Sequence, residues 1–422
     1  MQGIRQFFHT LQTKLFFSLG VDRLNEEFRR FALMHEVYIL ATSITMTFVN
    51  TLLMRVSEDP DIALKYNVAH YLCIALSMLL AGKLLHRLVN KTVILIGMAL
   101  SVSVYVVVLL FIGSLDGVYL LVAAIHGFAT GFYWITYSQS LMQYSTDETR
   151  DIAMNFIGVF SGLISLVMPL AAGWLIDLLP GFWGYYMLFG ACTLLAVWAV
   201  WLVFRLPGEA PDHRPTCYLG MLKKVYSEKV WFFVIHMDFF KGIRDGAFGF
   251  FLNVLLFSIV KSEALVGSNT FLVGIVSMTA SVIAGKITRP GNRLKLMTAA
   301  ATLLAGATAL LFVELNTVTV LLLSAANAFL GVFLVNPTTT TLYQVLDRVP
   351  GAKQQKSETF AITECYKDAG RMAGILLIML MPDGTFYSVI SLLALVLTQY
   401  ITTVFAKMTA NVLKRYPERK EE

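Results

Sequence analysis

The sequence predicts an all-α integral membrane protein with twelve transmembrane helices, arranged as two six-helix bundles that are related by an internal repeat. The first observation behind this fold class is composition: of 422 residues, 57% are hydrophobic and only 14% are charged. Soluble domains carry about 25% charged residues, because their outer surface must be polar. The composition therefore excludes a soluble enzyme, a nucleic-acid-binding protein and a disordered chain.

The second observation is the length of the apolar runs. A helix needs about 20 apolar residues to cross ~30 Å of hydrocarbon. Twelve runs are long enough, and they cover approximately 31–54, 64–85, 92–113, 118–143, 152–178, 183–205, 230–260, 269–288, 296–314, 318–345, 358–381 and 386–408. The polar, proline-broken stretch from Leu206 to Pro215 separates six runs from six.

This division predicts five parts: a cytoplasmic segment 1–30, an N-terminal bundle 31–205, a linker 206–229, a C-terminal bundle 230–409 and a tail 410–422. The first segment alternates apolar and basic residues. It is either an amphipathic helix on the inner membrane surface or a frayed leader.

The basic residues predict the orientation. Of the 33 Lys and Arg residues, 26 fall in segments on the same side as the N-terminus, and three fall in the opposite loops. Because cytoplasmic loops are enriched in Lys and Arg, both termini are predicted to be cytoplasmic. The net charge of +6 then needs no acidic partner. The short outward loops are typical of a bacterial inner (plasma) membrane.

The two halves of the chain repeat. Phe48 and Asn50 recur as Phe251 and Asn253 at a shift of 203 residues, and the same shift relates 81–83 to 284–286. Such a repeat of six helices is a transporter architecture, with the substrate held between the halves.

Glycines four residues apart also predict close helix contacts at Gly127/Gly131, Gly158/Gly162, Gly242/Gly246 and Gly370/Gly374.

With these features the sequence resembles the major facilitator superfamily over its whole length. The family loop G-x-L-x-D-R-x-G-R-K appears as residues 82–91, in which Gly82, Leu84, Arg87 and Lys91 match and His86 replaces the acid. Residues 169–173 resemble a degraded antiporter motif. The resemblance implies a gating loop at Gly82, Arg87 and Lys91, and a cavity lined by spans 1, 4, 7 and 10. It does not give the substrate.

Eight charged residues fall inside two predicted spans. Span 7 carries Asp238, Lys241, Arg244 and Asp245, and span 11 carries Glu364, Lys367, Asp368 and Arg371. Unpaired charges are costly in the bilayer, so pairing is expected. The depth of each residue can be counted from the cytoplasmic end of its helix at 1.5 Å per residue. By this count the acids of one helix lie at the same depth as bases of the other, which predicts one network between the two spans. The network either holds the bundle together or serves a charged solute or proton relay.

Two further groups are candidates for the site. Glu36 begins span 1 close to Arg29 and Arg30, where it is either a proton-coupling carboxylate or an interfacial ion-pair partner. Spans 4 and 10 carry aromatic and polar side chains, which either line a cavity for an amphipathic solute or pack between helices. They include Tyr133, Trp134, Tyr137, Asn336 and Tyr343.

The sequence therefore predicts a secondary transporter for a small amphipathic solute with a charged or zwitterionic group, driven by protons through alternating access. The alternative is a flippase-like transporter of a lipid or other long amphiphile. The predicted substrate-binding residues are Tyr133, Trp134, Tyr137, Lys241, Arg244, Asn336, Tyr343, Lys367 and Arg371. The predicted proton-coupling or ion-network residues are Glu36, Asp238, Asp245, Glu364 and Asp368.

A membrane-embedded enzyme is not favoured, because the sequence contains no H-E-x-x-H, G-x-S-x-G or P-loop motif. The four cysteines are scattered without metal-ligand spacing, so neither a metal nor another cofactor is expected. The predicted partners are the small-molecule or lipid-like substrate, protons and membrane lipid, with no nucleic acid, and the protein is expected to be a monomer.

Overall fold

The computed structural model describes residues 24–57, 59–145, 149–208, 210–211, 213, 216–289, 291–352, 355–382 and 385–416. Most of the predicted amphipathic segment 1–30, and the end of the tail from 417, lie outside these residues. The described residues form helices and contain no strand. The helices are Glu26–Thr42 and Thr45–Ser57 (span 1), Pro60–Leu85 (span 2), Asn90–Leu110 (span 3), Tyr119–Tyr144 (span 4), Arg150–Leu178 (span 5), Trp183–Val203 (span 6), Tyr218–Ser227 (the linker helix), Lys229–Phe248 and Phe251–Val260 (span 7), Glu263–Ile287 (span 8), Arg293–Ala309 (span 9), Thr317–Arg348 (span 10), Lys356–Met379 (span 11) and Thr385–Leu413 (span 12).

Eleven of the spans are long and apolar enough to cross a membrane by composition. Span 11 is the twelfth: its 24 residues reach about 36 Å, but they carry the predicted charges. Spans 8 and 7 differ from the prediction in informative ways. Span 8 begins at Glu263 rather than at 269, because the Ser262 side chain accepts a hydrogen bond from the amide of Leu265 at 3.2 Å and so caps an earlier start. Span 7 is interrupted at Gly249 and Phe250.

The packing of the helices follows the repeat. In the N-terminal bundle, span 4 packs on spans 2 and 3, span 6 on spans 1 and 3, and span 5 on span 1. In the C-terminal bundle, span 10 packs on spans 8 and 9, span 12 on spans 7 and 9, and span 11 on span 7. Each pair in one bundle has its counterpart six spans later. The predicted fold of two six-helix bundles is confirmed.

A pair of asparagines occupies equivalent places in the two bundles. The Asn67 amide donates to the Asn50 side-chain oxygen at 2.7 Å, which joins span 2 to span 1. The Asn269 amide donates to the Asn253 side-chain oxygen at 2.9 Å, which joins span 8 to span 7. Because buried amides must be hydrogen-bonded, each pair fixes the same helix contact in its own half.

Among the described residues, the bundles meet along four pairs of spans: 2 with 11, 5 with 8, and the second helix of span 7 with both the second helix of span 1 and span 2. We call the membrane face that carries the linker helix and both described chain ends the linker face, and the opposite one the distal face. The contact between spans 1 and 7 lies at the distal face, so the bundles are joined there.

Spans 7 and 11 approach with their backbones in contact. A side chain at Gly242 would collide with the carbonyl of Lys367, and one at Gly370 would collide with the carbonyl of Phe239. Gly246 and Gly374 are equally tightly packed in this contact, which we call the glycine seam. Gly127 and Gly131 likewise pack on span 2. The predicted close contacts are confirmed at these three glycine pairs.

The fourth pair, Gly158 and Gly162 on span 5, does not form such a contact, and the prediction is wrong there. Among the described residues, no atom of another helix lies within 4 Å of a methyl group placed on Gly158, and such a group on Gly162 meets only the end of the Met278 side chain. Spans 5 and 8 contact each other closely near the distal face, where Gly173 and Gly267 pack on opposing backbone. Nearer the linker face, a methyl group on Gly285 of span 8 would likewise meet no described atom within 4 Å.

Candidate substrate site

A cavity of about 510 Å³ lies inside the N-terminal bundle, near the middle of its membrane-spanning helices. Its walls come from spans 1 to 5, and the polar and aromatic members are His35, Tyr38, Thr42, Ser43, His70, Ser101, Tyr105, His126, Thr130, Trp134, Tyr137, Ser161 and Ser165. Among the described residues, no Lys, Arg, Asp or Glu lines the cavity. The volume is in the range of pockets for drug-sized ligands.

One wall of the cavity is a stack of rings from spans 1 and 4. The Tyr137 ring lies parallel to His35 with centroids 4.3 Å apart, and Trp134 meets Tyr137 edge-on at 5.3 Å. Trp134 is 41% exposed. Tyr133 is fully buried behind this wall, where its hydroxyl lies 2.6 Å from Nδ1 of His35 and its ring stacks on Tyr38. Of the three predicted aromatic residues, Trp134 and Tyr137 therefore line the cavity, and Tyr133 supports them.

Glu36 lies beside this wall. The Ser161 hydroxyl on span 5 is 3.0 Å from both oxygens of the Glu36 carboxylate, to which it donates. Arg30, one of the two arginines near it in sequence, pairs instead with Glu26 at 2.5 Å. In the described part of the chain, no Lys or Arg side chain forms a salt bridge with Glu36.

A histidine pair forms another part of the lining. His70 of span 2 and His126 of span 4 have ring centroids 4.3 Å apart, and the Tyr66 hydroxyl lies 2.7 Å from Nδ1 of His126. The sequence reasoning missed this pair and Ser161 as parts of one site. Only the fold brings them near span 1, and no spacing in the sequence signals it.

The charged residues of spans 7 and 11 form four ion pairs, each within one helix. They are Asp238 with Lys241 at 2.5 Å, Arg244 with Asp245 at 2.6 Å, Glu364 with Lys367 at 2.5 Å, and Asp368 with Arg371 at 2.6 Å. The predicted pairing between the helices is wrong: in the described residues, no salt bridge joins span 7 to span 11. The glycine seam explains this, because the two backbones meet there and the charged side chains reach their own neighbours first.

Two atoms of this charged group have no hydrogen-bond partner among the described residues: Nη1 of Arg244 and Oδ2 of Asp368. Both residues are buried, and the guanidinium of Arg244 faces Gly331 of span 10. Arg371 lies over the ring of Tyr71 on span 2, 5.0 Å from its centroid, and so connects the two bundles. Lys241 and Lys367 are held by their acidic partners.

The remaining predicted residues are not part of the cavity lining. Asn336 and Tyr343 of span 10 are exposed, and Tyr343 contacts Phe360 edge-on. Lys91 donates to the carbonyls of Phe204 and Leu206 at 2.7 and 2.9 Å, which ties span 3 to the end of span 6 within one bundle.

Gly82 is the place where the linker helix contacts span 2. The Tyr218 ring packs on Gly82, and its hydroxyl donates to the carbonyl of Leu79 at 3.1 Å. Burial and the nearby carboxylate of Glu358 raise the pKa of Tyr218 to about 12, so the hydroxyl keeps the proton that it donates. Arg87 is exposed at the linker face.

A polar cluster closes the distal face between the bundles. Arg55 of span 1 pairs with Glu263 of span 8 at 2.7 Å, and the Tyr185 hydroxyl of span 6 donates to the same carboxylate at 2.8 Å. Asp177 of span 5 accepts hydrogen bonds from the Ser262 hydroxyl at 2.6 Å and from the amide of Glu263 at 3.1 Å. We call these five residues the distal clamp.

Two bundles of six helices, a cavity in the membrane and a closed distal face together describe a transporter. Residues 32–375 match the family profile described as Major Facilitator Superfamily. The chain belongs to this superfamily. It is therefore a multi-pass membrane transporter and not an enzyme, as the sequence predicts.

Individual proteins resemble this chain in sequence or in fold. The chain is 27% identical over 349 residues to the uncharacterized protein YqgE of Bacillus subtilis (strain 168), covering 82% of this chain and 80% of that one. A bacterial homologue of the iron transporter ferroportin, in its inward-facing state, has the same fold with a TM-score of 0.66 and 14% identity over 91% of this chain and 98% of its own. The nucleoside transporter NupG gives a TM-score of 0.63 and 11% identity over 92% and 100%.

Proposed function

We propose that the protein moves a small amphipathic organic solute across the plasma membrane by alternating access, in exchange for or together with protons. The observation that carries this proposal is the cavity of about 510 Å³, which has aromatic, hydroxyl and imidazole groups on its walls and a carboxylate beside them. Such a mixture suits a solute with one apolar and one polar part.

The contacts between the bundles support alternating access. The distal clamp and the contact between spans 1 and 7 join the bundles at the distal face, and the cavity lies near the middle of the membrane-spanning helices. We take the linker face to be cytoplasmic, because it carries most of the Lys and Arg residues. On this assignment the closed distal face is the outer one, and we infer that the solute enters or leaves the cavity from the cytoplasm in this state. We further propose that residues 206–229 link the two bundles on the cytoplasmic side and that the protein is a monomer.

Glu36 is the candidate for proton coupling. Its carboxylate is half-buried, accepts from Ser161, and forms no salt bridge within the described residues. A carboxylate without a fixed cation can exchange a proton for another ligand. The acids of spans 7 and 11 each have a basic partner, so we assign those residues mainly to holding the C-terminal bundle and Glu36 to the proton.

The test uses the purified protein in liposomes that contain the pH indicator pyranine. Cationic, neutral and anionic aromatic solutes are added in turn, and proton movement is recorded with and without an imposed proton gradient. We expect at least one solute to cause proton movement that Glu36→Gln abolishes, while Glu27→Gln, an exposed acid on the same helix, leaves it unchanged. Proton movement that survives Glu36→Gln would refute the coupling role.

A flippase-like function remains the second candidate, and we infer that it would use a gap between spans 5 and 8 on the side of the linker face. Gly158 and Gly285 both face open space near the linker face, and the neighbouring Val159 and Val282 are exposed. An apolar tail could pass through this gap while its polar end occupies the cavity. Movement of a fluorescent phospholipid between leaflets, measured by dithionite bleaching in the same liposomes, would favour this candidate, and its absence would favour a small solute.

A further inference from the structure

The charge balance of the described membrane interior singles out Glu36. The four ion pairs of spans 7 and 11 contain four acids and four bases, so they carry no net charge. Arg55 and Glu263 neutralise each other at the distal face. Glu36 is different, because its contact is the neutral hydroxyl of Ser161. When ionised, it leaves one negative charge beside a cavity whose walls carry no ionised Lys or Arg.

Such a charge is costly in the membrane unless a cation accompanies it. The cation can be a proton, as in the proposed coupling role, or the solute itself. Water alone is a poor compensation in a cavity lined largely by carbon. The cavity is therefore electrostatically suited to a solute with a single positive charge, and unsuited to an anion.

The rings next to Glu36 add a second, independent feature. Trp134 and Tyr137 meet at an interplanar angle of 79° and form a corner, with Trp134 partly exposed to the cavity. The ring faces of Trp and Tyr attract organic cations, most strongly where water is excluded. Ser161, the donor to Glu36, lines the same cavity as both rings.

We propose that the solute is an organic monocation with an aromatic or bulky apolar part, whose positive centre binds in the corner of Trp134 and Tyr137 beside Glu36. This inference rests on the proposed transport function and narrows its substrate class. It does not require the charged residues of the C-terminal bundle to contact the solute.

Binding by the full-length protein in nanodiscs, measured by titration calorimetry, tests this inference without a transport assay. The probes are phenethyltrimethylammonium, the neutral hydrocinnamamide and the anion hydrocinnamate, which share a phenyl ring and a similar length. We expect the cation to bind at least tenfold more tightly than the other two. Glu36→Gln should remove most of this preference, and Trp134→Leu should weaken cation binding by about 3- to 30-fold with little effect on the amide.

Three controls accompany this measurement. Glu27→Gln removes an exposed acid from the same helix and should not change the preference, and thermal unfolding checks that each variant is folded. Trp134→Phe keeps an aromatic face and should retain more cation affinity than Trp134→Leu. Equal binding of the three probes, absent binding of the cation, or a preference that survives Glu36→Gln would each overturn the inference.

The outcome can be separated from the fate of the proposed function. If Glu36→Gln abolishes solute-driven proton movement but the wild-type protein does not prefer the cation, Glu36 serves the proton only and the monocation is excluded. If no solute moves protons but the cation binds selectively, the monocation site is supported and the proposed coupling to protons is refuted.

Discussion

Arg55 of the distal clamp offers the sharpest test of how the closed distal face is maintained. The Glu263 side chain is 2% exposed and that of Arg55 is 34% exposed. Leaving a buried carboxylate without its partner costs about 3–5 kcal/mol. The Tyr185 hydroxyl remains bonded to Glu263, and Arg55 is partly solvated, so we reduce the expected cost to about 1–3 kcal/mol.

This loss of free energy destabilises only the conformation in which the distal face is closed. In the open conformation the bundles have separated there, and water hydrates the Glu263 carboxylate. Arg55→Gln should therefore shift the ratio of distal-open to distal-closed molecules by about 5- to 150-fold. The double variant Arg55→Gln/Glu263→Gln should shift it less, since no unpaired charge is left buried.

The assay is double electron–electron resonance between spin labels at Asp116 and Glu314, which are exposed on distal loops of different bundles. Both sites are labelled in a protein whose four native cysteines have been replaced. Lys65→Gln is the matched control, because Lys65 pairs with Asp61 at 4.0 Å on the same face but within span 2. An Arg55→Gln distance distribution identical to that of the wild type would refute the role of the distal clamp.

Three further predictions concern stability and the linker. Gly370→Leu should lower the thermal unfolding temperature markedly by forcing spans 7 and 11 apart, whereas Gly306→Leu, at a position facing open space, should change it little. Lys241→Met should destabilise the protein by about 3–5 kcal/mol, because Asp238 is left buried without a partner, and adding Asp238→Asn should recover part of this loss in chemical unfolding. Tyr218→Phe should increase protease cleavage at the linker helix in limited proteolysis, and unchanged cleavage would show that its bond to Leu79 is dispensable.

The fold could be predicted from the sequence because its main determinants are local. The length of the apolar runs determines which segments cross the membrane, and the polar stretch at the midpoint divides them. The repeat of Asn50 at Asn253 indicated matching halves, and the two asparagine hydrogen bonds are consistent with it. The start of span 8 was missed because Ser262 and Glu263 are polar, and hydropathy cannot recognise a helix cap.

The candidate site was less predictable, because it depends on rotation of the helices about their axes. Counting residues along spans 7 and 11 predicted which charges lie at the same depth, but it could not show that the backbones meet at Gly242 and Gly370. With that contact, each acid pairs with a base on its own helix, three residues away in three of the pairs and adjacent in the pair of Arg244 and Asp245. Similarly, Tyr133 and Trp134 are adjacent in sequence, yet only Trp134 faces the cavity.

The glycine seam also constrains how the protein can move. Ridges of large side chains slide past one another by exchanging rotamers, but two backbones in direct contact have no such freedom. Spans 7 and 11 should therefore move as one rigid body, and their four ion pairs should remain intact during the movement. Any rearrangement that opens the distal face must then bend the chain elsewhere, and the interruption of span 7 at Gly249 and Phe250, just beyond the seam, is the natural pivot.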